Sequence, residues 1–395
     1  MKTVIKNAKI ILRNEIIRGA ILIENGKIST ILEGMDLLPD ADKIIDADGL
    51  FLSPGFIDIH THGAGGYDFM DGTDEIIAAA KTHMQHGTTT VLPTTVAASR
   101  ESILNCIRDF KKAREKIQNG PNIPGMHLEG PYFSMNQKGA IDERYIRNPD
   151  PEEYKEICKA GEDAILRWSI APELSGAIEM GDYLAMHGIL PSIGHSDAEY
   201  SQVRQASLHG YTLMTHLYSA MSTITRCSGF RVPGVIESAY IMENMAVEII
   251  ADGCHLPVEM LRMVWRTKGA DKVCMVCDSM RHAGLKTENS TVCGLGRKED
   301  GRSVLIEDGV AKLMDRSAFA GSIATDDRLV RVMYHDAGVP LNECITMMCT
   351  TPAKVMGFHC KGSIAPGKDA DLVLFDDSIG IKRVFVGGEE TYSAL

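Results

Sequence analysis

Phe56-Ile-Asp-Ile-His-Thr-His62 is a short aliphatic run that stops at two histidines. The same form returns in Met126-His-Leu-Glu129, Ile193-Gly-His195, Met214-Thr-His216 and Val273-Cys-Met-Val-Cys-Asp278. Short β-branched or aliphatic runs closed by a polar residue read as parallel strands buried on both faces. One polar residue per strand end, gathered from many strands, describes the C-terminal mouth of a (β/α)8 barrel.

Working outward, the spacing predicts barrel strands at 56–60, 88–93, 123–129, 166–171, 190–195, 212–216, 247–251 and 273–278. Helical stretches such as Asp74-Glu-Ile-Ile-Ala-Ala-Ala-Lys-Thr-His-Met and Ser102-Ile-Leu-Asn-Cys-Ile-Arg-Asp-Phe lie between them. Such alternation implies βαβ units and a parallel sheet. The expected fold is therefore α/β, with a TIM-type barrel over residues 54–357. The two ends differ in texture. Strand-like runs separated by Glu24-Asn-Gly26 and Ala47-Asp-Gly49 fill residues 1–53, and Ala370-Asp-Leu-Val-Leu-Phe375 and Lys382-Arg-Val-Phe-Val386 follow the barrel. These ends, 1–53 plus 358–395, are expected to pair into a small flanking β-sandwich, with an antiparallel sheet in its N-terminal part.

The chain has 395 residues and a net charge of −12, which disfavours nucleic acid and anionic membranes as partners. It shows no apolar run near the roughly 20 residues that span a bilayer and no signal-peptide core, so a cytoplasmic location is expected. Cys274 and Cys277 are three apart on a strand and face opposite sides. They read as buried free thiols rather than as a metal clamp.

His60 and His62 are two apart on a strand and face one side; with Asp58 they are expected to form a stripe pointing into the barrel. Glu129, His195 and His216 end three further strands. A glutamate and two histidines make a common zinc set with an open position for water, so the five together are candidate ligands of a divalent metal in a hydrolase. Asp278 is the candidate proton acceptor and donor. Zinc suits these ligands best, with iron, manganese and cobalt as alternatives, and one or two ions can be held.

The run Pro54-Gly-Phe-Ile-Asp-Ile-His-Thr-His-Gly63 resembles the opening motif of the amidohydrolase superfamily, and Gly362-Ser-Ile-Ala-Pro-Gly-Lys-Asp-Ala-Asp-Leu-Val373 resembles its closing strands. Within that superfamily, His127-Leu-Glu-Gly-Pro-Tyr132, Gly194-His-Ser-Asp-Ala198, Thr215-His-Leu-Tyr-Ser-Ala-Met221, Asp252-Gly-Cys-His255 and Ala320-Gly-Ser322 resemble the N-acetylglucosamine-6-phosphate deacetylases. The resemblance implies hydrolysis of a phosphorylated N-acetyl amino sugar and a homodimer. It implies that Glu129, His195 and His216 are the main metal ligands, that His60 and His62 serve a second ion, and that Asp278 is catalytic. His255 is implied as a sugar contact, Ser219 and Ala220 as phosphate contacts, and Arg231 as a residue reaching the partner's substrate.

Three departures stand out. Ser219-Ala-Met221 replaces an expected Asn-Ala-Met, Arg231-Val-Pro-Gly234 replaces Arg-Glu-Pro-Gly, and Ile141 stands where some members place a histidine on the acetyl oxygen. A second metal at His60 and His62 is the expected substitute for that histidine. The competing readings are a galacto-specific deacetylase, an aminoacylase- or dihydroorotase-like amidohydrolase, and a catalytically silent binding barrel. Several dihydroorotase-like members carry a carboxylated lysine on strand four, whereas Leu166-Arg-Trp-Ser-Ile-Ala-Pro172 has none.

Overall fold

In the computed structural model, residues 1–34, 39–286 and 291–394 are described. The centre is an eight-stranded, all-parallel sheet. Its strands in chain order are Phe56–Thr61, Thr88–Thr95, Met126–Glu129, Ile165–Ile170, Leu190–Ile193, Leu213–Met214, Ala246–Ile250 and Val273–Val276. The first and last strands meet where Asp278 N donates to His60 O at 2.9 Å and His62 N to Ser279 O at 2.8 Å, which closes a (β/α)8 barrel. Each expected barrel strand is present within a few residues of its expected span.

Side chains alternate between two cores, as strand geometry requires. On the seventh strand Ala246 and Ile250 pack inside the barrel with Ile57, Ile59, Leu92 and Val276. Val247 and Ile249 of the same strand pack outward against the helix layer. The helix Thr73–Gln85 buries Ile76, Ala79, Ala80 and Met84 on one stripe, and Arg100–Lys116 begins with Ser99 accepting from Ser102 N.

The first strand departs from the expected alternation. Its pairing with the second strand shifts register between Asp58 and Thr61, a bulge that changes which side the following residues face. His60 faces the barrel mouth, but Asp58 does not join it. The Asp58 carboxylate accepts from His60 N at 3.0 Å and from Cys277 Sγ at 2.6 Å, and it lies against Asp326 of the helix Asp326–Arg331. Burial raises Asp58 to about 6 and pushes Asp326 up as well. Cys274 packs in the barrel interior and Cys277 against the outer layer, each as a free thiol.

The chain ends form one sheet, ordered Glu389–Ser393, Ile381–Val386, Leu372–Phe375, Phe51–Pro54, Lys2–Ile11, Ile16–Glu24, Lys27–Glu33. The N-terminal part is mixed rather than antiparallel: Lys43–Asp46 and Phe51–Pro54 both run parallel to Lys2–Ile11, along successive halves of that long strand. Lys43–Asp46 lies beside the start of that strand, and Phe51–Pro54 continues in the same direction beside its second half, an arrangement that no tight hairpin makes. A second addition, absent from the sequence reading, is the three-stranded antiparallel sheet Thr291–Leu295, Arg302–Glu307 and Val310–Leu313 after the eighth barrel strand.

Phe375 joins the end sheet to the barrel. It is fully buried, with ring centroids 5.7 Å from Phe51 and 6.3 Å from Phe56. Phe375→Ala is expected to destabilise the protein by about 3–5 kcal/mol, read as a lower urea midpoint by circular dichroism.

Candidate active site

Six side chains named from the sequence converge at the barrel mouth, each from the end of a strand. Three of them, His195, His216 and Asp278, have positive φ of 48°, 28° and 45°. Backbone of this kind costs on the order of 1–3 kcal/mol at a non-glycine residue and clusters at functional sites. Here it turns each chain sharply at the strand end and aims the side chain into the mouth.

Glu129 is the hub. Its Oε1 lies 3.0 Å from His216 Nε2 and 3.4 Å from both His195 Nε2 and His60 Nε2. Its Oε2 lies 3.4 Å from His62 Nε2. Asp278 Oδ1 is 3.1 Å from His62 Nε2 and 3.5 Å from His60 Nε2. Two potential metal groups, His60–His62–Glu129 and Glu129–His195–His216, therefore share one carboxylate.

The far side of three rings fixes their tautomers. His60 Nδ1 donates to Glu248 Oε2 at 3.1 Å, His62 Nδ1 to Thr94 O at 3.3 Å and His195 Nδ1 to Gln137 O at 2.8 Å. Each Nε2 can then present a lone pair to the mouth. His60 Nε2 is buried without a hydrogen-bond partner among the described residues. Burial opposes charge on His60, but Glu129, Asp278 and Glu248 outweigh it and raise it to about 9. Burial likewise opposes ionisation of Glu129, yet the surrounding histidines hold it well below the usual carboxylate range. Asp278 is held down against burial by His60 and His62. The pocket demands positive charge, and a divalent cation satisfies these lone pairs and carboxylates together. The donor set fits such an ion.

Beneath the ligands runs a buried polar chain that the sequence reading missed. Glu248 and Arg167 are fully buried and pair with each other. Arg167 also donates to Ile59 O at 3.2 Å, Ser192 Oγ at 3.0 Å and Thr215 Oγ1 at 2.9 Å. Glu248 Oε2 additionally accepts from His216 N at 3.2 Å, so one carboxylate orients both His60 and His216. A signal was available: Glu248 and Arg167 are charged residues in the middle of apolar strand runs, and buried charges occur in pairs.

Above the floor lies a cleft of about 290 Å³. Ser219, Ala220 and His255 line one side. His255 Nδ1 is held by Asp252 Oδ2 at 2.9 Å, and its ring meets Phe319 at 4.9 Å. Ile141 lines the cleft with Ala140, Val96 and Leu295. Arg231 is the one candidate not brought to the cleft: it sits on the exposed hairpin Thr225–Cys227 and Phe230–Val232.

The fold and the site define a class. Residues 51–391 match the amidohydrolase family, and the chain belongs to it; this is a family of hydrolases that use a divalent metal. The chain is 33% identical over 376 residues to an N-acetylglucosamine-6-phosphate deacetylase of Bacillus subtilis, covering 94% of this chain and 92% of that protein. It is 28% identical to an N-acetylgalactosamine-6-phosphate deacetylase of Escherichia coli, covering 88% and 89%. Among solved structures, an N-acetylglucosamine-6-phosphate deacetylase mutant of Mycobacterium smegmatis, in complex with N-acetylglucosamine 6-phosphate, superposes with TM-score 0.89 at 29% identity and covers 99% and 100% of the two chains.

Glu248→Gln removes the negative charge that holds His60 and leaves Arg167 without its counter-ion. Metal affinity is expected to fall about 10–100-fold, measured by chelator competition on the purified variant.

Proposed function

We propose that this chain hydrolyses the acetamide of N-acetylglucosamine 6-phosphate to glucosamine 6-phosphate and acetate. The observation that carries the reading is the convergence of four imidazole Nε2 atoms on Glu129, with Asp278 Oδ1 3.1 Å from His62 Nε2, on the floor of a cleft lined by Ser219, Ala220 and His255. Glu129, His195 and His216 would hold one divalent ion, and His60, His62 and Glu129 are the residues that would hold a second; zinc is the first choice. A divalent ion so held lowers the pKa of water towards about 7 and polarises a carbonyl.

The chain's own groups do the rest. Asp278 takes the proton of the attacking water and delivers it to the amine nitrogen as the carbon–nitrogen bond breaks. His255, fixed by Asp252, positions the sugar. The Ser219–Ala220 segment binds the phosphate through the Ala220 N–H and the Ser219 hydroxyl, the Ser219 N–H being given to His216 O at 3.0 Å. Arg231 reaches the phosphate in the cleft of a second copy, so the working form is a homodimer; its exposed hairpin supports this arrangement. Residues 54–357 form the catalytic domain, and 1–53 with 358–395 its flanking sandwich. The location is cytoplasmic; among the described residues no helix is long and apolar enough to cross a membrane.

Acetate release from N-acetylglucosamine 6-phosphate, the unphosphorylated sugar and the galacto isomer tests the reading. Strong preference for the phosphorylated gluco sugar supports it, and turnover indifferent to phosphate removes the phosphate site. Asp278→Asn is expected to retain metal and lose about 10²–10⁴-fold in kcat. Arg231→Lys loses the planar fork that grips phosphate bidentately. It is expected to raise KM for the phosphorylated substrate while kcat stays close to normal, as steady-state kinetics will read.

A further inference from the structure

Thr61 stands between His60 and His62, and its side chain meets the helix Thr73–Gln85. Thr61 Oγ1 lies 3.0 Å from His83 Nε2 of that helix and 3.0 Å from Ser279 Oγ. Ser279 Oγ donates to Gly63 O at 2.9 Å, and His83 Nε2 lies 3.2 Å from the same oxygen. Thr61, His83 and Ser279 are fully buried, and the His83 ring stacks on Phe69 at 6.2 Å. Burial lowers His83 to about 3, so the ring is neutral. Its Nδ1 has no hydrogen-bond partner among the described residues. A buried N–H without an acceptor is rarer than a buried acceptor without a donor, so the proton sits on Nε2. His83 then donates to Thr61, Thr61 to Ser279 and Ser279 to Gly63, and each hydroxyl both gives and receives a hydrogen bond.

The ordinary strand ladder does not hold this segment on one side. Register with the second strand breaks between Asp58 and Thr61, and Thr61 pairs with Pro93, which has no N–H to donate. On the other side, His62 N and Gly63 N both donate to Ser279 O, at 2.8 and 3.1 Å. The side-chain clasp reinforces that junction where the backbone is bulged. Thr61 adjoins His60 and His62 in the chain, and Ser279 adjoins Asp278. His195 and His216 are held elsewhere, through Gln137 O and Glu248.

We propose that His83 is a positioning residue for the second ion: through Thr61 and Ser279 it fixes the strand end that carries His60 and His62 against Asp278. This rests on the two-ion reading given above. Ligand distances to a bound ion vary by only about 0.2 Å, so a small turn of that strand end misplaces both imidazoles at once. Glu248 and Thr94 O orient the two rings, and the clasp sets the backbone from which the rings project. The site of Glu129, His195 and His216 draws on other strands and keeps its ion without the clasp.

The test is zinc titration of chelator-stripped protein against a chromophoric competitor, which resolves one affinity for each ion; His62→Ala identifies the constant that belongs to the second. His83→Phe keeps a ring beside Phe69 and removes the donor, and Thr61→Val keeps the shape and removes the hydroxyl. Each is expected to weaken the second ion about 10–100-fold and to leave the first close to wild type. Thr61→Ser retains the hydroxyl and is expected to hold both ions as wild type does. Ser279→Ala, which loses only a hydroxyl, is expected to act as Thr61→Val does and serves should the larger changes not fold. Equal weakening of both ions makes the role merely structural and overturns the proposal. So do unchanged constants in His83→Phe and Thr61→Val, or a Thr61→Ser as weak as Thr61→Val. A wild type that holds a single ion removes the two-ion reading itself, and the clasp's role with it.

Discussion

Four imidazole nitrogens and two carboxylates are packed inside one buried pocket, and everything around them follows from the need to neutralise that set. Acceptors cannot satisfy acceptors. Either protons or a metal must sit between Glu129 and the Nε2 atoms of His60, His62, His195 and His216. The tautomers favour the metal, because Glu248, Thr94 O and Gln137 O hold the protons of three rings on the far side. Arg167 in turn compensates Glu248, and its remaining donors go to Ile59 O, Ser192 and Thr215. The floor is therefore a continuous chain of oriented dipoles running from the barrel interior to the ligands. Breaking one link would leave a buried charge unpaired, which is far costlier than losing a surface pair.

The backbone accommodates this chain in two ways. The bulge between Asp58 and Thr61 brings His60 to the mouth while Asp58 turns to Cys277 and Asp326. Positive φ at His195, His216 and Asp278 bends three strand ends so that their side chains enter the mouth. Each is a local departure from ideal strand geometry at a residue that points into the site. Each of these strands is packed on both faces, so the departures are held by rigid neighbours.

Much of this was legible from residue type and position. A polar residue that ends an apolar run is visible in one dimension, which is why all five candidate ligands, Asp278 and the eight strands were readable. Glu248 and Arg167 were harder. Each sits in the middle of its strand, and its meaning depends on a partner 81 residues away. The facing of Asp58 was misread because strict alternation fails at a bulge, and a bulge is set by pairing with the neighbouring strand rather than by composition. The parallel pairing of Lys43–Asp46 and Phe51–Pro54 with Lys2–Ile11 was lost for the same reason. The run Thr291–Leu295 lies beyond the expected eighth strand and carries Gly294 inside it, so its own pattern is weak until Arg302–Glu307 pairs with it.

The division between strand and loop also separates the buried charges of the floor from part of the cleft wall. Glu129, His195, His216 and Asp278 stand at or just beyond the ends of barrel strands whose positions are fixed by packing on both sides. Ile141 and Leu295 come from elsewhere: one from the segment after the third strand, the other from the inserted three-stranded sheet. The segment carrying Ile141 also gives Gln137 O to His195 Nδ1, but through its backbone, so neither the Ile141 nor the Leu295 side chain belongs to the hydrogen-bonded chain. A change of side chain there alters the shape of the wall and leaves the tautomers, the carboxylates and the strand ends in place. Loops on a barrel tolerate such change because few buried backbone bonds depend on them. Ile141 and Leu295 can thus change without moving the buried charges, and the departure at Ile141 lies in that freer layer.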